Sequence, residues 1–257
     1  RDSHKEFIKI LKKYSSSINK SVVHCFTGTQ EQLDIYLELG CYIGITGWVC
    51  DEKRNIELRK TIKNIPHNTY IRINTNESAE KIIDTLKIIQ ERCIEHIFLG
   101  GGTPSLFSAK TIGRLMEELF SSTLVSSAAE ITMEVNPGAA ETIKLRDFRS
   151  SGINRLSIGA QSFNNKHLQE LGRVHSGKDV MRAVDSANNL FQNVNVDIMY
   201  ALPNQTTQDL EKDVNQLIKT DVHHVSLYQL TIEPKTVFWR TPPALPDDDI
   251  SERMENL

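Results

Sequence analysis

The sequence predicts an α/β fold built on a parallel sheet, of the closed-barrel or open, incomplete-barrel kind. Three observations lead there. Apolar runs of strand length recur along the chain, and helix-length segments with apolar residues three and four apart stand between them. The strands also read as continuously apolar, as strands covered on both faces do. Repeated without a break, that rhythm favours a barrel over a two-layer sandwich. The chain has 257 residues, 39% apolar and 25% charged. This is enough for one large domain or two smaller ones, and the composition excludes intrinsic disorder.

Taken in order, Phe7, Ile8, Leu11 and Tyr14 share a helical face, and residues 21–25 read as a buried strand. Thr29 is the expected N-cap of a helix bearing Leu33, Ile35, Tyr36, Leu37 and Leu39, which Gly40 ends. A strand follows at 41–47, then a charged stretch, then a strand near 70–73. Ser78 caps a helix through Arg92 with Ile82, Ile83, Leu86 and Ile89 inward. Further strands are expected at 96–100, 130–135, 154–160, 194–200 and 224–230. Helices between them carry Ile112, Leu115, Met116 and Leu119, then Val180, Met181, Val184 and Ala187, then Leu210, Val214, Leu217 and Ile218. The tail, three prolines in 242–246 and then three aspartates at 247–249, is expected to be extended and exposed.

The formal net charge is −3, and the first seventy residues carry 11 Lys and Arg against 8 Asp and Glu. Neither part is polybasic, so the composition gives no push toward nucleic acid. No stretch approaches the roughly 18–20 apolar residues of a membrane span, and the N-terminus lacks the apolar core of a secretory signal. The absence of an initiator Met makes a piece of a longer chain the expectation. The cysteines, at 25, 41, 50 and 93, form no C-x-x-C pair, which suits free thiols in a cytoplasmic protein.

Polar residues gather where the expected strands end. Gly100-Gly101-Gly102-Thr103-Pro104-Ser105 follows one strand, Glu134 closes the next, Gln161 ends another, and Asp197 lies within 194–200. In a parallel barrel such ends face one mouth, where sites assemble. Each has a plain structural alternative: the glycines a tight turn, Glu134 a cap, Arg173 a surface cation, and His175, His223 and His224 structural residues. The glycine run lacks the Gly-Lys-Ser/Thr of a phosphate loop and is no G-x-G-x-x-G fingerprint. Asp197 is harder to explain away, because a carboxylate in an apolar strand is costly unless it is paired or solvated at a site.

Six segments, in order, carry a resemblance. They are IFLGGGTPS (97–105), EVNPG (134–138), RLSIGAQSF (155–163), LGRVH (171–175), DIMYALP (197–203) and SLYQLTIEP (226–234). From about residue 75 onward the chain resembles the radical S-adenosylmethionine (SAM) proteins, in their branch of HemW haem chaperones and oxygen-independent coproporphyrinogen III oxidase-like proteins. The resemblance implies a partial TIM-type barrel binding SAM at its mouth beside a [4Fe–4S] cluster, with haem as a further ligand. It implies that Gly101, Gly102 and Thr103 meet the methionine end of SAM with Glu134 nearby. Arg173 would pair with the SAM carboxylate, and Gln161 and Asp197 would hold the ribose hydroxyls. The family's C-x-x-x-C-x-x-C loop is missing, and Cys93 is the only cysteine of the matching region. Three thiolates are needed to hold such a cluster, so no radical chemistry is expected of this chain.

Residues 5–70 read differently. VVHCFTG (22–28) and YIGITGWVCDE (42–52) resemble the TatD-type metal-dependent deoxyribonucleases, also of TIM-type fold. That resemblance implies a divalent-metal ligand at His24. The other ligands it requires are absent, and RINTN (72–76) stands where its Glu-Thr-Asp belongs. One imidazole cannot hold a hydrolytic ion. The expected organisation is therefore a TatD-like fragment at 1–72 and a HemW-like radical SAM core fragment at 73–257. Its expected partners are SAM and haem, without nucleic acid or a membrane span. The alternatives are a nuclease fragment, or a fusion of two truncated proteins without a function of its own.

Overall fold

The structure, a computed structural model of the chain, describes residues 4–46, 56–65, 69–74, 93–122 and 124–257. The chain forms two compact units, Arg1–Pro104 with Lys110–Thr132, and Ser105–Ala109 with Met133–Leu257.

The first unit contains helix α1 (His4–Tyr14), strand β1 (Val22–Val23), helix α2 (Gln30–Glu38), strand β2 (Tyr42–Thr46), helix α3 (Ile56–Thr61), and strands β3 (Thr69–Asn74) and β4 (Cys93–Gly100). Most of helix α4 (Ala109–Ser122) and the start of strand β5 (Leu124–Val135) also belong to it. Strands β1 to β4 pair in sequence order, all parallel, with Val22 opposite Tyr42, Ile43 opposite Thr69 and Ile73 opposite Leu99. Leu33, Ile43, Ile45, Leu58, Ile94, Ile97 and Leu99 form the core. Helix α2 starts as its sequence implies: the Thr29 side chain accepts from the Gln32 N–H, and the Gln32 side chain accepts from the Thr29 N–H. Helix α1 buries Ile8 and Leu11 but leaves Phe7 and Tyr14 exposed, so its inward stripe is narrower than expected.

The second unit takes up the end of β5 and continues with helix α5 (Ala139–Ser150), strand β6 (Arg155–Gln161), helices α6 (Asn165–Glu170) and α7 (Gly177–Asn188), and strand β7 (Asn193–Tyr200). Helix α8 (Thr207–Ile218), strand β8 (His224–Gln229), and helices α9 (Val237–Arg240) and α10 (Asp248–Glu255) complete it. Strands β6, β7 and β8 are parallel, with Leu156 opposite Val194 and Asp197 opposite Ser226. Leu156, Ile158, Val194, Val196 and Ile198 are fully buried, and α7 packs on β6 and β7. Burying each of these side chains contributes about 1.5–3 kcal/mol. Capping boxes start both flanking helices, Ser176 with Asp179 on α7 and Thr206 with Asp209 on α8. Hydrogen bonds from these caps hold both carboxyls below the usual carboxylate range.

The α/β reading holds, and every expected strand is present within a few residues. The helix expected at 78–92 lies outside the described residues. Five helices among the described residues went unforeseen: α3 in what reads as a charged stretch, α5, the short α6 and α9, and α10 in the tail. The tail expectation is corrected at the aspartates. Asp247 accepts from the Ile250 N–H at 2.8 Å and caps α10, which buries Ser251 and Met254 and packs on α8. A row of acids at a helix N-terminus is stabilised by the unsatisfied N–H groups there, which is why these residues are helical.

Candidate functional site at the ends of β6 and β7

Strand β6 ends on Gln161, opposite Ile198 and so beside Asp197. Gln161 has φ +66° and Ala201, just after β7, has φ +56°. Left-handed backbone at non-glycine residues is a strain that the surroundings must hold, and it is common at functional sites. Two features hold Gln161. A Cβ on Gly159 would come within 3.0 Å of the Gln161 Nε2, so the glycine leaves room for that amide. Beyond it, Asp213 of α8 clamps the chain, its carboxylate accepting from Ser162 Oγ at 2.5 Å and from the Phe163 N–H at 2.9 Å. Burial pushes the Asp213 carboxyl above the usual range, against the pull of these donors.

Arg173 sits just past α6, where its N–H donates to Leu168 O after Gly172. Two residues on, His175 Nε2 lies 3.2 Å from Ala160 O, which ties this turn to the end of β6. Arg173 is half-buried, and burial lowers its pKa with no carboxylate among the described residues acting against it.

Asp197 is half-buried on β7, on the face opposite the buried Val196 and Ile198. Asn195 Nδ2 donates to Asp197 Oδ1 at 2.7 Å, and Ser157 Oγ lies 3.3 and 3.2 Å from the two carboxylate oxygens. Burial raises the Asp197 carboxyl above its ordinary value, while Asn195, Ser157, the Ser226 hydroxyl and the Arg155 charge pull it down. Sequence reading singled out Asp197 and missed Ser157, Asn195 and Ser226. A signal was there: Val194-Asn195-Val196-Asp197-Ile198 alternates with period two, which puts both polar residues on one face.

Glu134 is the penultimate residue of β5 and is half-buried. Just after it, the Asn136 N–H donates to Ser105 Oγ at 3.4 Å, and Lys144 Nζ donates to the carbonyls of Ser105, Leu106 and Phe107, each at 3.3 Å. In the first unit, Gly101 and Gly102 follow β4 with φ +80° and +63°, and Thr103 is half-buried.

His24 follows β1 and is exposed. Cys25, Cys41 and Cys93 are free thiols, and Cys41 Sγ takes a hydrogen bond from Ser21 Oγ. Cys50 and the rest of the 47–52 motif lie outside the described residues. Among the described residues, no three His, Cys, Asp or Glu side chains are placed to hold a metal ion. With no C-x-x-x-C-x-x-C loop in the sequence either, the chain's residues do not fit a [4Fe–4S] cluster. No helix among the described residues is long and apolar enough to cross a membrane.

Residues 41–217 match the Radical SAM superfamily, and residues 1–72 match the TatD related DNase family. The chain is 46% identical to the heme chaperone HemW of Haemophilus influenzae over 162 residues, which is 63% of this chain and 42% of that protein. It is 39% identical to the Escherichia coli HemW over 186 residues, 72% of this chain and 48% of that one. The chain thus spans about half the length of the curated relatives it matches. Among solved structures, the radical SAM enzyme coproporphyrinogen III oxidase (HemN) of Escherichia coli superposes with a TM-score of 0.63 at 25% identity. That superposition covers 68% of this chain and 41% of that chain, so the chain shares the α/β parallel-sheet fold of that enzyme. The match over residues 41–217 spans more than half of the sequence, and the chain belongs to the radical SAM superfamily.

Proposed function

We propose that this chain is the SAM-binding portion of a protein of the haem-chaperone kind, and that it binds SAM without cleaving it. The observation that carries this reading is Arg173, a half-buried guanidinium with no counter-ion among the described residues, held by the His175 contact at the same strand ends as Gln161 and Asp197. A buried cation costs free energy that an incoming carboxylate recovers, and guanidinium suits a carboxylate better than any other side chain does. Arg173 would take the methionine carboxylate of SAM. The carboxylate of Asp197 and the amide of Gln161 would each take one of the two ribose hydroxyls, with Glu134 near the methionine end. In radical SAM proteins a cluster supplies the electron that cleaves SAM, and this chain has no cysteine loop to hold one. Haem is the cargo we assign by likeness to the HemW relatives.

We read residues 1–72 as a TatD-like segment and 73–257 as the radical SAM core, the two family matches overlapping at 41–72. A reducing, cytoplasmic setting suits the free thiols. Titration calorimetry of the whole chain with SAM, and with adenosine as a control, tests the reading. Arg173→Met is expected to weaken SAM binding about tenfold or more while leaving adenosine binding unchanged. Equal SAM affinity in the two proteins would contradict it.

A further inference from the structure

We infer that Asn195 is a positioning residue that fixes the carboxylate of Asp197 in its ionised, hydroxyl-accepting form. The inference deepens the SAM reading above and rests on it for the identity of the ligand.

Asn195 is 3% exposed, deep in a parallel strand, where an amide is tolerated only if its hydrogen-bonding groups are occupied. They are. One Nδ2 hydrogen goes to Asp197 Oδ1 at 2.7 Å and the other to Ser157 Oγ at 2.9 Å, while Oδ1 accepts from Ser226 Oγ at 3.1 Å. The assignment has one direction. A flipped amide would set its oxygen 2.7 Å from a carboxylate oxygen, acceptor against acceptor, and would face an NH2 toward the Ser226 hydroxyl. Because Ser157 Oγ receives the Asn195 N–H, its own proton is free for Asp197, 3.2 and 3.3 Å away.

The chain of donors thus runs from Ser226 on β8 through Asn195 on β7 to Asp197, with Ser157 on β6 as a second arm. All four side chains lie on one face of three adjacent strands. Each arm ends on the carboxylate and favours its charged form, opposing in part the larger desolvation that pushes the other way. The charged group that also acts on Asp197 is Arg155, at the start of β6, and it favours the same form. A carboxylate held in this way is set to accept one hydroxyl proton of a vicinal diol, with the Gln161 amide left for the other.

The test uses the full chain and four proteins: wild type, Asn195→Leu, Ser226→Ala and Asp197→Asn. Two readouts are taken, SAM affinity against pH by calorimetry and the Asp197 carboxyl titration by carbon-detected NMR. Asn195→Leu is expected to weaken SAM binding about tenfold near neutral pH, the loss of one hydrogen bond to a charged group. It should also move the acid-side loss of binding and the carboxyl midpoint to higher pH. Asp197→Asn should bind weakly with no such pH dependence. Ser226→Ala removes the donor that holds Asn195 Oδ1 and itself favours the Asp197 anion, so it should shift both readouts the same way, which keeps the test open if Asn195→Leu melts before it can be titrated. If Asp197→Asn loses SAM while Asn195→Leu binds like wild type at every pH, the inference is overturned and the SAM reading stands. If wild type binds no SAM, the SAM reading fails, and the carboxyl titration decides alone: an upward midpoint in Asn195→Leu supports the positioning role, and an unchanged one overturns it.

Discussion

Replacing Asp213 with alanine tests how the strained end of β6 is held. Asp213 is 2% exposed and its carboxylate receives two donors, the fully buried Ser162 hydroxyl and the Phe163 N–H. Alanine leaves both donors without an acceptor in a site with little room for water. A hydrogen bond to a charged group contributes about 1.5–3 kcal/mol, and breaking a buried charged network typically costs about 3–5 kcal/mol. Against a total stability of about 5–15 kcal/mol, the expected loss is about 4 kcal/mol, or roughly 8–16 °C in melting temperature for a chain of this size. Asp213→Asn keeps an acceptor for Phe163 and offers an NH2 to Ser162 Oγ, so it should lose about half as much. The pH dependence has a definite sign. The folded-state carboxyl lies above its unfolded value, so its contribution is complete below the unfolded pKa and fades as pH rises through the folded one. The asparagine variant should lack that decline. Differential scanning calorimetry across pH reads both effects. A loss below about 1 kcal/mol in Asp213→Ala would refute the clamp, since that is the scale of a surface substitution.

Other perturbations bear on neighbouring features. A Cβ on Gly177 would stand 2.1 Å from the Phe163 carbonyl oxygen, so Gly177→Ala should destabilise by about 1–3 kcal/mol through overpacking, read as a lower urea midpoint with unchanged slope. Asp179 and Asp209 have folded-state carboxyls held below the ordinary range by their caps. Their contribution is present above the unfolded pKa and lost as pH falls through the folded one. Thr206→Ala should cost about 1 kcal/mol at neutral pH and much less in acid, by circular dichroism melts. Strand β8 leaves Val225, Leu227 and Tyr228 about half exposed, an apolar strand of the kind that pairs with other chains. If β8 pairs with other copies, Val225→Lys with Leu227→Lys should lower the mass seen by light scattering at high concentration, and an unchanged mass would contradict such pairing.

Much of this was legible in the sequence because strand runs and helix periodicity are local signals. The strands at 194–200 and 224–230 and the cap at Thr29 lie where their residues predict. What escaped depends on neighbours. The aspartates at 247–249 read as an exposed tail because their helix is fixed by capping and by Met254 docking on α8, not by a long apolar stripe. Asp197 drew attention as a carboxylate among apolar residues, but its donors come from three strands, and strand register is not written in any one of them. The Asp213 clamp joins residues about fifty positions apart, beyond the reach of any periodicity. Positive φ at Gln161 and Ala201 was equally invisible, since neither residue type signals left-handed backbone.

On the reading proposed above, this chain binds SAM through its own side chains and needs no cluster to do so. The most direct measurement is calorimetric titration of the intact wild-type chain with SAM in buffer stripped of iron by a chelator. A saturable, single-site isotherm that persists without iron is expected. Absence of saturable binding under those conditions, with the protein shown to be folded by its thermal transition, would contradict it.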